Sequence, residues 1–358
     1  MLNIFNQEFS KDELRKRIGH ISQIAGTKRY VLKEGQGEGV EAIDVKTGSG
    51  LYFTILPDRA MDIAWMEYQG KPVAFISKSG IVHGQYYTPL GTEWLRNFFG
   101  GMLTTCGLTH VGPPETSDEG ELGLHGRIAN IPAEEVSSTT QWRDDELVME
   151  VRGKIREAVI FGENLTLTRK IRTSLGENRF FIHDMVVNEG YHDAPFMILY
   201  HMNVGFSVVS EHSRLLAPIL HTEPRDEEAI KGIKEYAIFQ KPTCGYKEQV
   251  FFHQLAADQE GNTYVGIVNE RMQFGVYIGF NKKQLPCFTQ WKMMGQQDYV
   301  VGLEPGNCVP EGRSSAHSKG RLAFLRPGET HRIDLQVGIL DGRDEITRFR
   351  KQLDNMIR

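Results

Sequence analysis

Over residues 147–155 and again over 165–175, hydrophobic and polar positions alternate with a period of two. In "LVMEVRGKI" (147–155), Leu147, Met149, Val151 and Ile155 share one face, and Glu150, Arg152 and Lys154 share the other. "LTLTRKIRTSL" (165–175) sets Leu165, Leu167, Ile171 and Leu175 against Thr166, Thr168, Lys170 and Arg172, and "RIDLQVGIL" (332–340) repeats the pattern. Successive side chains of a strand point to opposite faces, so each segment predicts a strand with one core face and one solvated face. "RFFIHDMVVNEG", "EQVFFHQL", "TYVGIVNE", "MQFGVYIGF", "PCFTQWKMM", "YVVGLEPG" and "RLAFLRPGE" add strands separated by Gly, Pro and Asn/Asp turns. Helical signals lie at the ends. Ser10 with Glu13 fits a capping box and predicts a helical segment over about 10–18. "DEITRFRKQLDNMIR" spaces Ile346, Phe349, Leu353 and Met356 for a helix over about 344–357. With no βαβ alternation and no short repeat, the expected fold class is all-β. It is a large two-sheet antiparallel β-sandwich with short peripheral helices, forming a single domain over residues 1–358.

One stretch departs from the half-buried pattern. In "PFMILYHMNVGF" (195–206), Phe196, Ile198, Tyr200, Met202, Val204 and Phe206 fill one face, while Met197, Leu199, His201 and Asn203 share the other. A core strand has no obvious use for an imidazole and an amide on one face, so either His201 and Asn203 open onto a cleft or His201 is a core histidine hydrogen-bonded by its neighbour. Two further stretches carry chemistry. In "ELGLHGRIAN" (121–130), extended backbone would point His125 and Arg127 the same way, with Gly126 leaving room for a ligand, while the commoner reading of a His-Gly pair is a turn. In "YVVGLEPG" (299–306), Glu304 ends an apolar strand and shares its side with Gly302, which leaves space beside the carboxylate. Trp291 and Gln290 sit on a neighbouring strand. An aromatic plate beside fixed donors and acceptors suits a sugar, whose C–H face stacks and whose hydroxyls need partners. Two imidazoles and a carboxylate are also the parts for general acid–base catalysis. His183, His192, His212, His221, His253 and His331 lack any partner pattern and read as structural.

Composition narrows the function. Apolar residues make up 40% and charged residues 24% of 358 residues, the profile of a globular protein with a large core. A net charge of −5 gives no electrostatic reason to bind nucleic acid or an anionic membrane. No apolar run approaches the roughly 20 residues that span a bilayer, and the N-terminus lacks a signal-peptide core. The four cysteines, Cys106, Cys244, Cys287 and Cys308, are far apart and form no Cys-x-x-Cys pair, consistent with free thiols in a cytoplasmic protein. No phosphate loop, dinucleotide fingerprint or Gly-x-Ser-x-Gly elbow is present.

In order along the chain, "LPDRAMDI" (56–63), "RNFFGGMLTTCGL" (96–108), "LHGRIANIPAE" (124–134), "YHMNVGF" (200–206), "QWKMMG" (290–295) and "YVVGLEP" (299–305) resemble the aldose 1-epimerase-like proteins of the galactose mutarotase superfamily. The match is closest to a largely uncharacterised bacterial branch. The resemblance covers about residues 30–340. It implies a β-sandwich enzyme of carbohydrate metabolism, an isomerase that needs no cofactor or metal and works as a monomer or homodimer on a small-molecule sugar. It implies that Glu304 is the catalytic base and that His201 and His125 serve the ring oxygen and nearby hydroxyls. Arg59 and Arg127 are the candidates for a substrate-binding arginine, with Asn203, Gln290 and Trp291 as further sugar contacts. Two other readings use the same residues. A non-catalytic sugar sensor would bind in the cleft without chemistry, and a divalent-metal isomerase would use the two histidines and the glutamate as ligands.

Overall fold

A computed structural model describes residues 2–4, 7–117 and 120–357. The alternating segments form the strands Glu146–Ala158, Asn164–Ser174 and Thr330–Asp341. They belong to an eight-stranded sheet that runs, in spatial order, through Glu134–Arg143, Glu146–Ala158, Asn164–Ser174, Arg179–Asn188, Thr330–Asp341, Phe274–Asn281, Asn262–Asn269 and Ser213–Leu216. A seven-stranded sheet holds Ile219–Pro224, Gln249–Leu255, Cys287–Met294, Tyr299–Gly306, Ala194–Val204 and Ala323–Leu325, with Thr104–Leu108 also paired to Ala194–Val204. A five-stranded sheet from Gly26–Val31 to Lys71–Pro72 joins them. Every ladder between these strands is antiparallel.

One apolar core takes residues from all three large sheets, among them Phe53 and Ile63, Ile171 and Val337, and Ile198 and Met202. At its centre is a buried polar knot. Arg169 occupies a core-facing position of its strand and donates to both oxygens of Asp184, to Asp62 and to Thr105 Oγ1. Tyr200 donates to Asp184 at 2.7 Å and Thr105 Oγ1 donates to Asp62 at 2.6 Å, so the knot ties the three sheets together. Buried charges are tolerated only when paired and hydrogen-bonded in this way.

The expected end helices are present. Ser10 and Glu13 form the capping box of the helix Lys11–Arg15. The helix Arg343–Ile357 buries Ile346, Phe349 and Leu353 against Val268, Leu340, Tyr264 and Tyr277, on the outside of the eight-stranded sheet. The strand at 194–204 is core on both sides over most of its length. Phe196, Ile198, Tyr200, Met202 and Val204 enter the main core, and Met197 and Leu199 enter a second cluster with Trp94, Phe98 and Cys106. Phe206 does not share the core face as expected. The strand ends at Val204, and the Phe206 side chain is 70% exposed.

Candidate active site

The floor of the site follows from strand register. Met202 lies opposite Leu303 and Leu199 opposite Gly306, which sets His201 opposite Glu304. Glu304 pairs with Thr289, Thr289 with Phe252, Phe252 with Glu223, and on the far side His201 pairs with Thr104. Because side chains alternate along each strand, one cross-strand row of the seven-stranded sheet presents its members on the same face. His201 Nε2 stands 3.2 Å from Glu304 Oε1.

Above this row lies a cleft of about 750 Å³ lined by His125, His201, Glu304, Trp94, Phe98 and Trp291, with Leu124, Val250 and Phe252 adding apolar wall. The size lies within the roughly 300–1,000 Å³ common for small-molecule sites. The rings of Phe98 and Trp291 meet His201 edge-on at centroid distances of 5.3 and 5.4 Å. His125 faces His201 at 6.1 Å and Trp94 at 5.0 Å. His125 reaches this place from a turn. Its backbone is left-handed, with φ of 57°, and is pinned by His125 N donating to the Gly112 carbonyl and Gly107 N donating to the His125 carbonyl, both at 3.0 Å. A non-glycine residue in that region is uncommon and persists where the surroundings hold it.

The polar atoms of the three groups are left open. Glu304 Oε1, His201 Nδ1 and His125 Nδ1 are buried with no hydrogen-bond partner among the described residues. Glu304 and His201 are only 2% and 6% exposed. Burial disfavours the charged form of each group. It holds the Glu304 carboxyl well above the usual carboxylate range, an effect reinforced by Glu248 and opposed by Arg225. It depresses His201 to about 4. His125 falls to about 3, through burial first and then through His201. Burial thus favours the neutral form of all three groups. Gly302 supplies the room expected of it, since a Cβ there would stand 2.4 Å from Glu304 Oε1. Among the described residues no three His, Cys, Asp or Glu side chains are grouped to hold a metal ion.

Four of the expected sugar contacts are placed elsewhere. Arg59 is buried and donates to the carbonyls of Ala129, Val82 and Asn97. It ties the turn that carries His125 to the segment that carries Trp94 and Phe98, and does not line the cleft. Arg127 does not point with His125 because the backbone between them turns at His125 and Gly126 and is not extended; Arg127 is exposed outside the cleft. The same turn corrects the reading of Gly126, whose missing Cβ makes room for the Gly107 and His110 carbonyls and not for a ligand. Gln290 lies one residue from Trp291 and so faces the core side of its strand. Its Oε1 meets His253 Nε2 at 3.0 Å and its Nε2 donates to the Tyr236 carbonyl. Asn203 is on the cleft face by register, but its amide is fully buried and donates to the carbonyls of Gly100, Gly101 and His201. Trp291 alone of the expected sugar contacts lines the cleft.

Sequence reasoning missed Trp94, Phe98, Arg225 and Glu248, all cleft-lining. Trp94 and Phe98 carried a usable signal, as aromatic residues at helical spacing around Arg96 and Asn97, just before the Gly100-Gly101 pair. Arg225 and Glu248 read as ordinary surface charges.

The family model described as "Domain of unknown function (DUF4432)" matches residues 37–339. The chain belongs to this family. Among curated proteins none matches the sequence. Among solved structures, the chain is similar to a candidate aldose 1-epimerase of Klebsiella pneumoniae, with 26% identity, a TM-score of 0.89, and coverage of 98% of this chain and 91% of that one. A galactose mutarotase-like protein of Clostridium acetobutylicum shares the fold at 13% identity and a TM-score of 0.64, over 89% of this chain and 99% of that one. The galactose 1-epimerase of Lactobacillus acidophilus does so at 12% identity and a TM-score of 0.59, over 89% and 100%. The DUF4432 chain thus has the galactose mutarotase-like sandwich fold. Its helices include none long and apolar enough to cross a membrane among the described residues.

Proposed function

We propose that this DUF4432 protein is an aldose 1-epimerase-like isomerase that interconverts the anomers of a sugar by general acid–base catalysis. The observation that carries the reading is the convergence of Glu304, His201 and His125, each with an unpartnered buried atom, in one aromatic-walled cleft. Trp291, Phe98 and Trp94 offer ring faces and edges to the C–H surface of a pyranose. Glu304 takes the proton of the anomeric hydroxyl, and His201 gives one to the ring oxygen as the ring opens to the aldehyde. Rotation at C1 and closure on the other face run the same steps backwards. His125 hydrogen-bonds the substrate near the ring oxygen and fixes its orientation.

The protonation states fit this sequence with one internal transfer. Burial favours the neutral carboxyl and the neutral imidazole; the working pair is a carboxylate and an imidazolium. The two forms contain the same number of protons and differ by one proton moved across the 3.2 Å gap. No proton has to arrive from solvent, and the substrate's hydroxyls supply the hydrogen bonds that stabilise the charged form. The same proposal places the protein in the cytoplasm, in keeping with four cysteines that are all free.

NMR exchange spectroscopy on a panel of aldoses and uronates tests the reading by following α/β interconversion. Glu304→Gln keeps the size of the side chain and removes the base. It should cut turnover by at least ~10²-fold while sugar affinity stays within a few-fold, because the lost interaction belongs mainly to the transition state. A variant that exchanges anomers at the wild-type rate would remove the mechanism. A sugar sensor would bind both anomers and show no accelerated exchange in the wild type.

A further inference from the structure

The rim of the cleft carries an ion pair that the catalytic row does not use. Glu248 accepts two hydrogen bonds, one on each carboxylate oxygen. Trp291 Nε1 donates to Oε2 at 2.8 Å, and Arg225 Nη2 donates to Oε1 at 2.9 Å. Arg225 Nε donates to Asp226, itself fixed as the N-cap of the helix Glu227–Gly232. Arg225 Nη1 has no protein partner among the described residues, and both Arg225 and Glu248 line the cleft. The indole so held is the one whose ring stands 5.4 Å from His201 and whose Cβ borders Gly302.

We propose that Glu248 is a positioning residue whose carboxylate locks the Trp291 indole against His201 and holds the Arg225 guanidinium over the catalytic row, where its free Nη1 donates to a sugar hydroxyl. The contact with a hydroxyl rests on the sugar-isomerase reading given above; the lock on Trp291 does not. A bidentate carboxylate bridging an indole N–H and a guanidinium leaves both partners fewer rotamers before substrate arrives, which preorganises the wall.

The pair also acts on Glu304 through space. Around that carboxyl stand His201 across the ladder, Cys106 on the next strand, the uncharged Thr289 on the other side, and Glu248 and Arg225 at the rim, with His125 facing His201 from its turn. Of these, Glu248 and Arg225 bear the fixed charges, and their effects on the carboxyl have opposite sign. Removing the Glu248 charge therefore lowers the pH at which Glu304 ionises, and removing the Arg225 charge raises it. A general loosening of the fold would move both variants the same way.

The test uses the full chain with carboxyl-labelled glutamate and indole-labelled tryptophan, followed by NMR. Loss of a signal in Glu304→Gln and in Trp291→Phe assigns the two resonances. Glu248→Gln should displace the Trp291 indole N–H resonance and shift the Glu304 titration to lower pH. Arg225→Gln should shift that titration to higher pH, and Arg225→Lys should restore it towards wild type. With any aldose of the panel that the wild type turns over, both Gln variants should lower kcat/KM by about tenfold, mostly through KM, the cost of one charge-assisted hydrogen bond. Wild-type titrations and an unmoved Trp291 resonance in both Gln variants would overturn the proposal, as would shifts of the same sign. If Glu248→Gln moves the Trp291 resonance and the titrations shift in opposite directions, but the wild type exchanges no sugar, the lock on Trp291 stands and the isomerase reading falls.

Discussion

Glu304 is a residue that the fold holds at a cost. Its carboxyl ionises far more readily in the unfolded chain, near the ordinary glutamate value, than in the cleft, where burial keeps it protonated to a much higher pH. Below the unfolded value both states carry the proton and nothing is lost. As pH rises past it, the unfolded state ionises alone and gains on the folded state until the folded carboxyl also ionises. Glu304→Gln should therefore melt at a higher temperature than wild type at pH 8, with a difference that shrinks as pH falls and vanishes near pH 4. Thermal melts across that range check it. The histidines act on the acid side. His201 and His125 stay neutral to about 4 and about 3, so the unfolded chain takes up protons first below the ordinary histidine value of about 6.5 and the fold loses stability there.

At the scale of elements, the C-terminal helix is a separable increment of stability. Phe349 is 4% exposed and packs on Tyr277 at a ring distance of 5.5 Å, outside the sheet and far in connectivity from the cleft row. Phe349→Ala should cost about 3 kcal/mol in urea unfolding and leave anomer exchange unchanged per folded molecule. This helix was legible in the sequence because four apolar residues at helical spacing suffice to specify it. The strands were legible for the same local reason, whereas alternation alone left His201 open between a cleft and a satisfied core histidine. Which strands neighbour one another is not local. The meeting of His201 with Glu304 depends on a pairing between residues about a hundred positions apart, and the resemblance, not the periodicity, pointed to it. Alternation could have decided between Gln290 and Trp291, since neighbours on a strand cannot both face the cleft. The turn at His125 was legible in the His-Gly pair, which is more often a turn than extended backbone; that the turn aims His125 into the cleft was not. Arg169 left a mark, a charge in register with Leu165, Leu167 and Ile171, and it proved to be the centre of the core knot.

That knot governs the molecule as a whole. Asp62, Arg169, Asp184, Thr105 and Tyr200 come from three sheets, and each is buried. Asp184→Asn removes the bidentate partner of Arg169 and the acceptor charge of Tyr200, which neighbours His201 on its strand. It should cost about 3 kcal/mol, the lower end of what breaking a buried pair entails, and urea unfolding should show it as a fall in midpoint of one transition. The cross-strand row has a consequence of another kind. Glu223, Phe252, Thr289, Glu304 and His201 each come from a different strand, and the residues before and after them face the other way. A single codon change at Phe252, or at Val250 beside Trp291, would give the cleft wall a new chemical group while the His201–Glu304 pair and the interior behind it keep their places. In such a sheet the lining of the cleft and the packing of the core are written on alternate residues, so one can be changed without the other.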